Sequence, residues 1–284
     1  VIILSRNGHQ RVASGNLSYA QWNIEKQTID KEAITDTGHI IHLAGAGVAD
    51  KRWTKKRKQE IIDSRVESGE LIVKALNEIP NNVKSVVSAS AIGWYGADPS
   101  IPNPRPFTEE DPAAAGFLGE TCKKWEASLE PLTKMGKRLV RFRTGIVLIA
   151  GGGALEEFEK PLRFGVAAVL GSGRQMISWI HIDDLVNLYI AAIENENMNG
   201  TYNAVAPHPV SNKELTLTLA KIKKGKFFVA VYVPSFMLKI ALGEMSIEVL
   251  KSATVSSAKL HYLGYNYLYS SVETALSQIL EPGQ

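Results

Sequence analysis

The side chains best placed to do chemistry are three hydroxyls. Ser88 and Ser90 end an apolar run, residues 83–90, and Tyr95 follows shortly after. A hydroxyl both donates and accepts, so Ser90 and Tyr95 are the candidate catalytic pair for polarising the oxygen of a carbonyl or hydroxyl substrate, with Tyr95 as an acid. Tyr95 could equally pack against the proline-rich stretch behind it. His181, Asp183 and Asp184 have the composition of a general base or a metal cluster. They open an apolar-periodic run, however, where aspartate caps backbone N–H groups, so capping is the stronger reading and no metal site is expected. Cys122 is the sole cysteine. A lone cysteine reads as a small buried hydrophobe more readily than as a reactive thiol. The basic run Lys51, Arg52, Lys55, Lys56, Arg57 and Lys58 could meet phosphate, but Glu60 and Asp63 dilute it. A solvated helix start is the stronger reading.

These groups need elements to position them. Val1, Ile2, Ile3 and Leu4 form an apolar run closed by Ser5, Arg6, Asn7 and Gly8, the pattern of a buried strand and a turn. Residues 38–44 form a second buried strand, followed by a loop containing Gly45 and Gly47. Glycine at such a place lets backbone approach a nucleotide closely. A long helix is expected over residues 55–79, from Ile61, Ile62, Val66, Leu71, Ile72, Ala75 and Leu76. A third strand covers residues 83–90, and the five prolines of residues 97–112 imply an irregular loop. A helix over 119–135 should break at Pro131. A fourth strand spans 139–148, ended by Gly151, Gly152 and Gly153. Residues 182–194 return to helix, and residues 207–284 read as a mixed lobe with a helix near 272–280.

Strands alternating with helices imply an α/β fold, a Rossmann-type doubly wound parallel sheet with a smaller mixed C-terminal lobe. Residues 1–150 and 179–206 would form the dinucleotide-binding domain, and residues 151–178 and 207–284 the substrate lobe. Ligands of such sheets lie at the carboxyl ends of the strands. With 284 residues the chain can bury one large core, or one core and a small lobe. A net charge of +3 lacks the basic excess of a nucleic-acid binder. No apolar run approaches the length of a membrane span, and one cysteine excludes an intrachain disulfide. A cytoplasmic setting is therefore expected, with no nucleic acid and no membrane as partner.

Five strings carry a resemblance. They are Leu43-Ala44-Gly45 with Ala49-Asp50-Lys51-Arg52-Trp53; Ser88-Ala89-Ser90-Ala91-Ile92-Gly93-Trp94-Tyr95-Gly96; Arg143-Thr144-Gly145-Ile146-Val147-Leu148; Gly171-Ser172-Gly173-Arg174-Gln175; and Trp179-Ile180-His181-Ile182-Asp183-Asp184. In this order and spacing the chain resembles the NAD-dependent epimerase/dehydratase relatives, the "epimerase family protein" subgroup of extended, atypical short-chain dehydrogenases/reductases. The resemblance covers almost the whole chain. It implies NADP(H) as cofactor, with Arg6 suited to a ribose 2′-phosphate where NAD-selective proteins place an acid. It implies nucleotide contacts from Ser5, Arg6 and Asn7, from Leu43, Ala44 and Gly45, from Ser88 and Ala89, and from Arg143, Thr144 and Gly145. Arg174 and Gln175 would line the substrate side from the lobe. It leaves room for a homodimer.

Two departures qualify these expectations. The family opens with a strand, a glycine-rich turn and a helix, yet neither G-x-G-x-x-G nor G-x-x-G-x-x-G occurs here. The simplest expectation is that about one β-turn-α unit, roughly 30 residues, is missing from the sequence, leaving strand edges exposed. The dehydrogenase class also relies on Tyr-x-x-x-Lys, and none of the nine tyrosines has a lysine four residues later. By alignment to the family, Leu118 stands for that tyrosine and Cys122 for that lysine, and leucine transfers no proton. Two functions follow: an NADP(H)-dependent oxidoreductase or epimerase on a small carbonyl or hydroxyl compound, or a binding protein that senses NADP(H) without turning over. A strict nucleotide-sugar epimerase would need the absent tyrosine.

Overall fold

A computed structural model describes residues 1–6 and 15–280. The first elements are β1 (Ile2–Ser5), β2 (Ser18–Asn23), β3 (Thr28–Ile29), α1 (Lys31–Thr35), β4 (His39–His42), α2 (Lys55–Glu78) and β5 (Ser85–Ala91). Next come α3 (Phe117–Leu129), α4 (Pro131–Lys134), β6 (Arg138–Thr144), β7 (Ile146–Leu148), α5 (Gly153–Leu162), β8 (Val166–Leu170), β9 (Met176–Ile177) and β10 (Trp179–His181). The remainder is α6 (Ile182–Glu194), β11 (Gly200–Ala204), β12 (Val210–Ser211), α7 (Asn212–Lys224), β13 (Val229–Val233), α8 (Ser235–Leu242), α9 (Ser246–Leu250), α10 (Ala258–Tyr262) and α11 (Val272–Leu280).

Strands β11, β6, β5 and β4 form, in that order, a four-stranded parallel sheet. Successive side chains of a strand point to opposite faces, and both faces are covered. Val86 and Leu139 pack with Ile72, Leu76, Leu129 and Leu132 of α2, α3 and α4. Val87, Val140 and Phe142 pack on the other side with Leu188, Tyr189 and Ala192 of α6. The helix over 119–135 does break at Pro131, giving α3 and α4.

Three local expectations differ from the structure. Strand β1 lies in a separate three-stranded sheet with β2 and β3, and its Ile2 and Ile3 are 36% and 37% exposed rather than buried. Among the described residues, β1 pairs only with β2 and β4 only with β5. The strand expected over 139–148 is two strands, because the chain changes partner at Gly145. Gly145 N donates to Ala204 O of β11 and Ile146 N donates to Ser178 O, after which β7 pairs with β10. A Cβ on Gly145 would lie 2.6 Å from Ser178 O, so a backbone crossing requires this glycine. Helix α6 is capped by the His181 ring, whose Nδ1 accepts from Asp183 N at 3.1 Å, and not by an aspartate. Asp184 instead accepts from Leu268 N and Tyr269 N at 2.7 and 3.1 Å, tying α6 to the C-terminal segment.

A second core gathers Leu148, Leu155, Leu162, Trp179, Leu215 and Leu276, with α5, α7 and α11 around it. The proline-rich loop 97–112 joins the two parts. Its Asp98 carboxylate accepts from Ser252 Oγ, Thr254 N and Thr254 Oγ1 at 2.7–2.9 Å. Phe107 N donates to Thr254 O, and Ser256 N donates to Phe107 O, so the loop runs beside residues 252–256 as a strand would. Removing such a carboxylate leaves its donors unpaired. Asp98→Ala should lower stability by about 1.5–3 kcal/mol in urea unfolding, and a glutamate-specific protease should cut faster at exposed Glu110 in the same loop. An unchanged midpoint with unchanged cleavage would show that the loop does not join the two parts.

Candidate active site

The parallel register sets the carboxyl ends of the sheet strands along one edge. His42 pairs with Ser88, Ala91 with Thr144, and Thr144 with Ala204. The loop leaving β4 presents an exposed Leu43 and Gly45. Two arginines of α2 hold this loop from below. Arg65 donates to Ala46 O at 2.9 Å and lies over the Trp125 ring, while the buried Arg57 donates to Gly47 O. A Cβ on Gly45 would come within 2.9 Å of the Arg65 guanidinium, so the glycine admits the arginine. The basic run is therefore not wholly a solvated helix start: Arg57 is 6% exposed.

Behind the edge, on the α2 and α3 face, lies a buried polar layer. The His42 ring sits between Ser68 Oγ at 2.8 Å and Ser88 Oγ at 3.1 Å. Burial, with Arg65 nearby, pushes the His42 pKa from its ordinary 6.5 down to about 4. Ser90 Oγ donates to Glu126 Oε1 at 2.7 Å. The same carboxylate takes a bidentate pair from Arg143, with Nε to Oε1 at 2.9 Å and Nη2 to Oε2 at 3.1 Å. Arg143 Nη1 donates to the Tyr95 hydroxyl and to Glu109 O, both at 3.1 Å, and the guanidinium lies 3.6 Å from the centre of the Trp94 ring. Tyr95 donates in turn to Asn203 Oδ1 at 2.6 Å and stacks on Phe107.

This layer corrects several expectations. Tyr95 is 1% exposed and its hydroxyl faces Arg143 and Asn203, away from solvent; burial raises its pKa to about 12. It does not stand ready as an acid. Arg143 is buried with its guanidinium paired inside the protein, so it is not a surface arginine. Cys122 is buried, Sγ donates weakly to Ala91 O at 3.6 Å, and burial pushes its thiol up to about 12. The inert reading fits that environment.

Beyond β5 a cleft of about 420 Å³ opens between residues 93–97, residues 114–119 and the lobe segment Glu244 to Lys251. Arg174 and Gln175 do not line it. Arg174 is exposed and donates to Ile101 O at 3.3 Å, while Gln175 is buried and donates to Leu170 O at 3.0 Å. At the end of β1, Arg6 is exposed, and the buried Ser5 Oγ has no hydrogen-bond partner among the described residues. Asn7 lies outside the described residues. Among those residues, no group of three or more His, Cys, Asp and Glu could hold a metal ion, and no helix is long and apolar enough to cross a membrane.

The architecture and its strings have known counterparts. The chain is 34% identical over 284 residues to the epimerase family protein YfhF of Bacillus subtilis, an alignment covering 99% of this chain and 89% of that one. It belongs to the NAD-dependent epimerase/dehydratase family. The family model described in those words matches residues 1–116, and a domain of unknown function matches residues 233–279, the lobe segment that closes the cleft. A Mycobacterium leprae epimerase family protein is 32% identical over 268 residues, covering 94% of this chain and 85% of its own. Among solved structures, human epimerase family protein SDR39U1 with NADPH superposes with a TM-score of 0.83 at 26% identity, over 98% of this chain and 90% of that one. The UDP-N-acetylglucosamine 4-epimerase of Bacillus cereus shares the fold, with a TM-score of 0.72 at 19% identity, over 99% and 90%. The parallel-sheet α/β fold is that of the short-chain dehydrogenase/reductase epimerases.

Glu126, Arg65, Glu244 and Lys251 were not legible as site residues. Glu126 lies on the buried face of α3, whose other buried residues are apolar or small, and Arg65 lies on α2, which also buries Arg57; a charge on an inward stripe is the available signal. The depressed His42 pKa carries a stability signature. The neutral ring folds and the unfolded ring takes up a proton, so its contribution is full above pH 6.5 and is lost as pH falls toward about 4. Urea midpoints should decline across that window, by a total of roughly 3 kcal/mol at about 1.4 kcal/mol per unit shift. His42→Gln should remove that component, and a wild-type curve flat from pH 6.5 to 4 would contradict it.

Proposed function

We propose that the protein binds NADP(H) along the carboxyl edge of the sheet and acts as an oxidoreductase or epimerase on a small carbonyl or hydroxyl substrate. The observation supporting this is adjacency. The loop after β4, the end of β5 and the turn after β6 share one edge, and the cleft opens immediately beyond β5. The SDR39U1 structure, solved with NADPH, lends the cofactor. The residues present fit such a group: Gly45 offers exposed backbone, and Ser5 Oγ at the end of β1 is a buried hydroxyl without a partner among the described residues. Arg6 would meet the 2′-phosphate, Leu43, Ala44 and Gly45 the middle of the dinucleotide, and Ala89 and Thr144 its inner end. When bound, the cofactor supplies hydride chemistry. Ser90 Oγ, whose proton is held by Glu126, would accept from the hydroxyl of an alcohol substrate or product.

The binding-protein reading is favoured by a specific observation. Ser88, Ser90 and Tyr95 each already have hydrogen-bond partners inside the protein, and Leu118 with the buried Cys122 offers no replacement for the tyrosine and lysine of the family pattern. One titration addresses the shared premise. The full chain should bind NADPH more tightly than NADH by calorimetry, and Arg6→Ala should narrow that gap by about 1.5–3 kcal/mol, the range of a charged hydrogen bond. Equal affinities in the unmutated chain would remove the NADP(H) assignment. Tight NADPH binding with no turnover across a carbonyl and alcohol screen would favour the binding protein.

A further inference from the structure

The cleft brings few charges to its ligand, and each of them is paired. Its charged lining side chains are Glu244, Glu248 and Lys251. The Lys251 ammonium is paired with Glu248 and also donates to Tyr95 O at 3.2 Å. Glu244 is paired with Lys58 of α2, whose ammonium stands 5.1 Å from the centre of the Phe117 ring. Each ammonium that reaches the cleft is thus bound to a carboxylate of the same lobe segment. Three further arginines are placed elsewhere. Arg52 packs on Gly243 outside the lining, Arg105 pairs with Asp111, and Arg174 turns to Ile101 O. The floor consists of small residues within 93–97 and 114–119, and the walls are Trp53, Phe117, Leu118, Ile247 and Leu250.

A diphosphate entering this space would bring about two negative charges toward two carboxylates. Freeing either lysine would leave a carboxylate unpaired in a partly desolvated site, a penalty that falls on a charged ligand and not on a neutral one. The volume, about 420 Å³, lies toward the small end of the roughly 300–1,000 Å³ typical of ligand pockets. We propose that the ligand of this cleft is an uncharged, largely apolar ketone or its alcohol, of aromatic or alicyclic class, and not a nucleoside-diphosphate sugar. This rests on the reading of the cleft as the substrate site of an NADP(H)-binding protein, and it separates this chain from the sugar-nucleotide epimerases that share its fold.

The test is calorimetric titration of the full chain, with and without saturating NADPH, using 1-tetralone as the neutral ketone and UDP-glucose as the nucleotide sugar. Saturable 1-tetralone binding with no UDP-glucose binding is expected. Ile247→Asp, a change at a 62% exposed wall residue, should weaken 1-tetralone about tenfold without disturbing the core. The double variant Glu244→Gln, Glu248→Gln should release the two lysines and begin to admit UDP-glucose. UDP-glucose binding to the unmutated chain more tightly than 1-tetralone, no 1-tetralone binding up to its solubility limit, or 1-tetralone binding indifferent to Ile247→Asp would each overturn the proposal. Failure of NADPH to bind is a separate result: it removes the functional reading, while the two ligand titrations without NADPH still decide the chemistry of the cleft.

Discussion

The buried pair between Arg143 and Glu126 is the contact on which the edge of this protein depends. It is bidentate, with both side chains nearly inaccessible at 4% and 7% exposed. Burying two charges costs about as much as their attraction returns, so the pair is not where net stability comes from. Its importance lies in what it spans. One guanidinium engages α3 through Glu126, the turn after β5 through Trp94 and Tyr95, and the proline-rich loop through Glu109 O. Removing either partner would strand a charge inside the protein, a loss of about 3–5 kcal/mol where such pairs have been broken. Because β6 supplies the arginine, α3, the turn after β5 and the proline-rich loop are all referred to the same strand.

That arrangement has a chemical corollary. A hydroxyl inside a satisfied network is well ordered but poorly available, since its donor is already engaged. Ser90 donates to Glu126 and Tyr95 to Asn203, and the glutamate and the asparagine are themselves held by further partners. The polar groups here define where the strand ends and the loops sit. Gly45, Leu43 and Arg6, by contrast, are exposed at the strand ends. The strand edge thus divides into a buried polar layer and an accessible rim.

Much of the fold was legible because periodicity reports burial. The helices over 55–78, 182–194 and 272–280 followed from apolar spacing, and the break at Pro131 from the missing N–H of proline. The strand break at Gly145 was not legible, since a run such as Leu139 to Leu148 looks continuous whichever neighbour each half pairs with. The site was less readable still. Strand ends could be placed, which located Leu43 to Gly45 and Ser88 to Ser90 on one edge. Whether a hydroxyl points to solvent or to a carboxylate depends on residues remote in sequence: Tyr95 meets Asn203, and Ser90 meets Glu126. Arg174 and Gln175 were assigned by motif, and motif spacing carries no information about which wall a loop faces.

The stitching of loop 97–112 to residues 252–256 also bears on the order in which the molecule comes together. Asp98 and Thr254 are separated by 156 positions, and the cleft draws one wall from residues 93–119 and the other from residues 244–251. Contacts of such long sequence separation form only after the intervening chain has been organised, because loop closure must come before its reward. During synthesis from the N-terminus the sheet can pair β4, β5 and β6 well before the segment that closes the cleft has emerged. For that interval the cleft has a floor and no opposite wall, and it becomes enclosed only once the last quarter of the chain has docked.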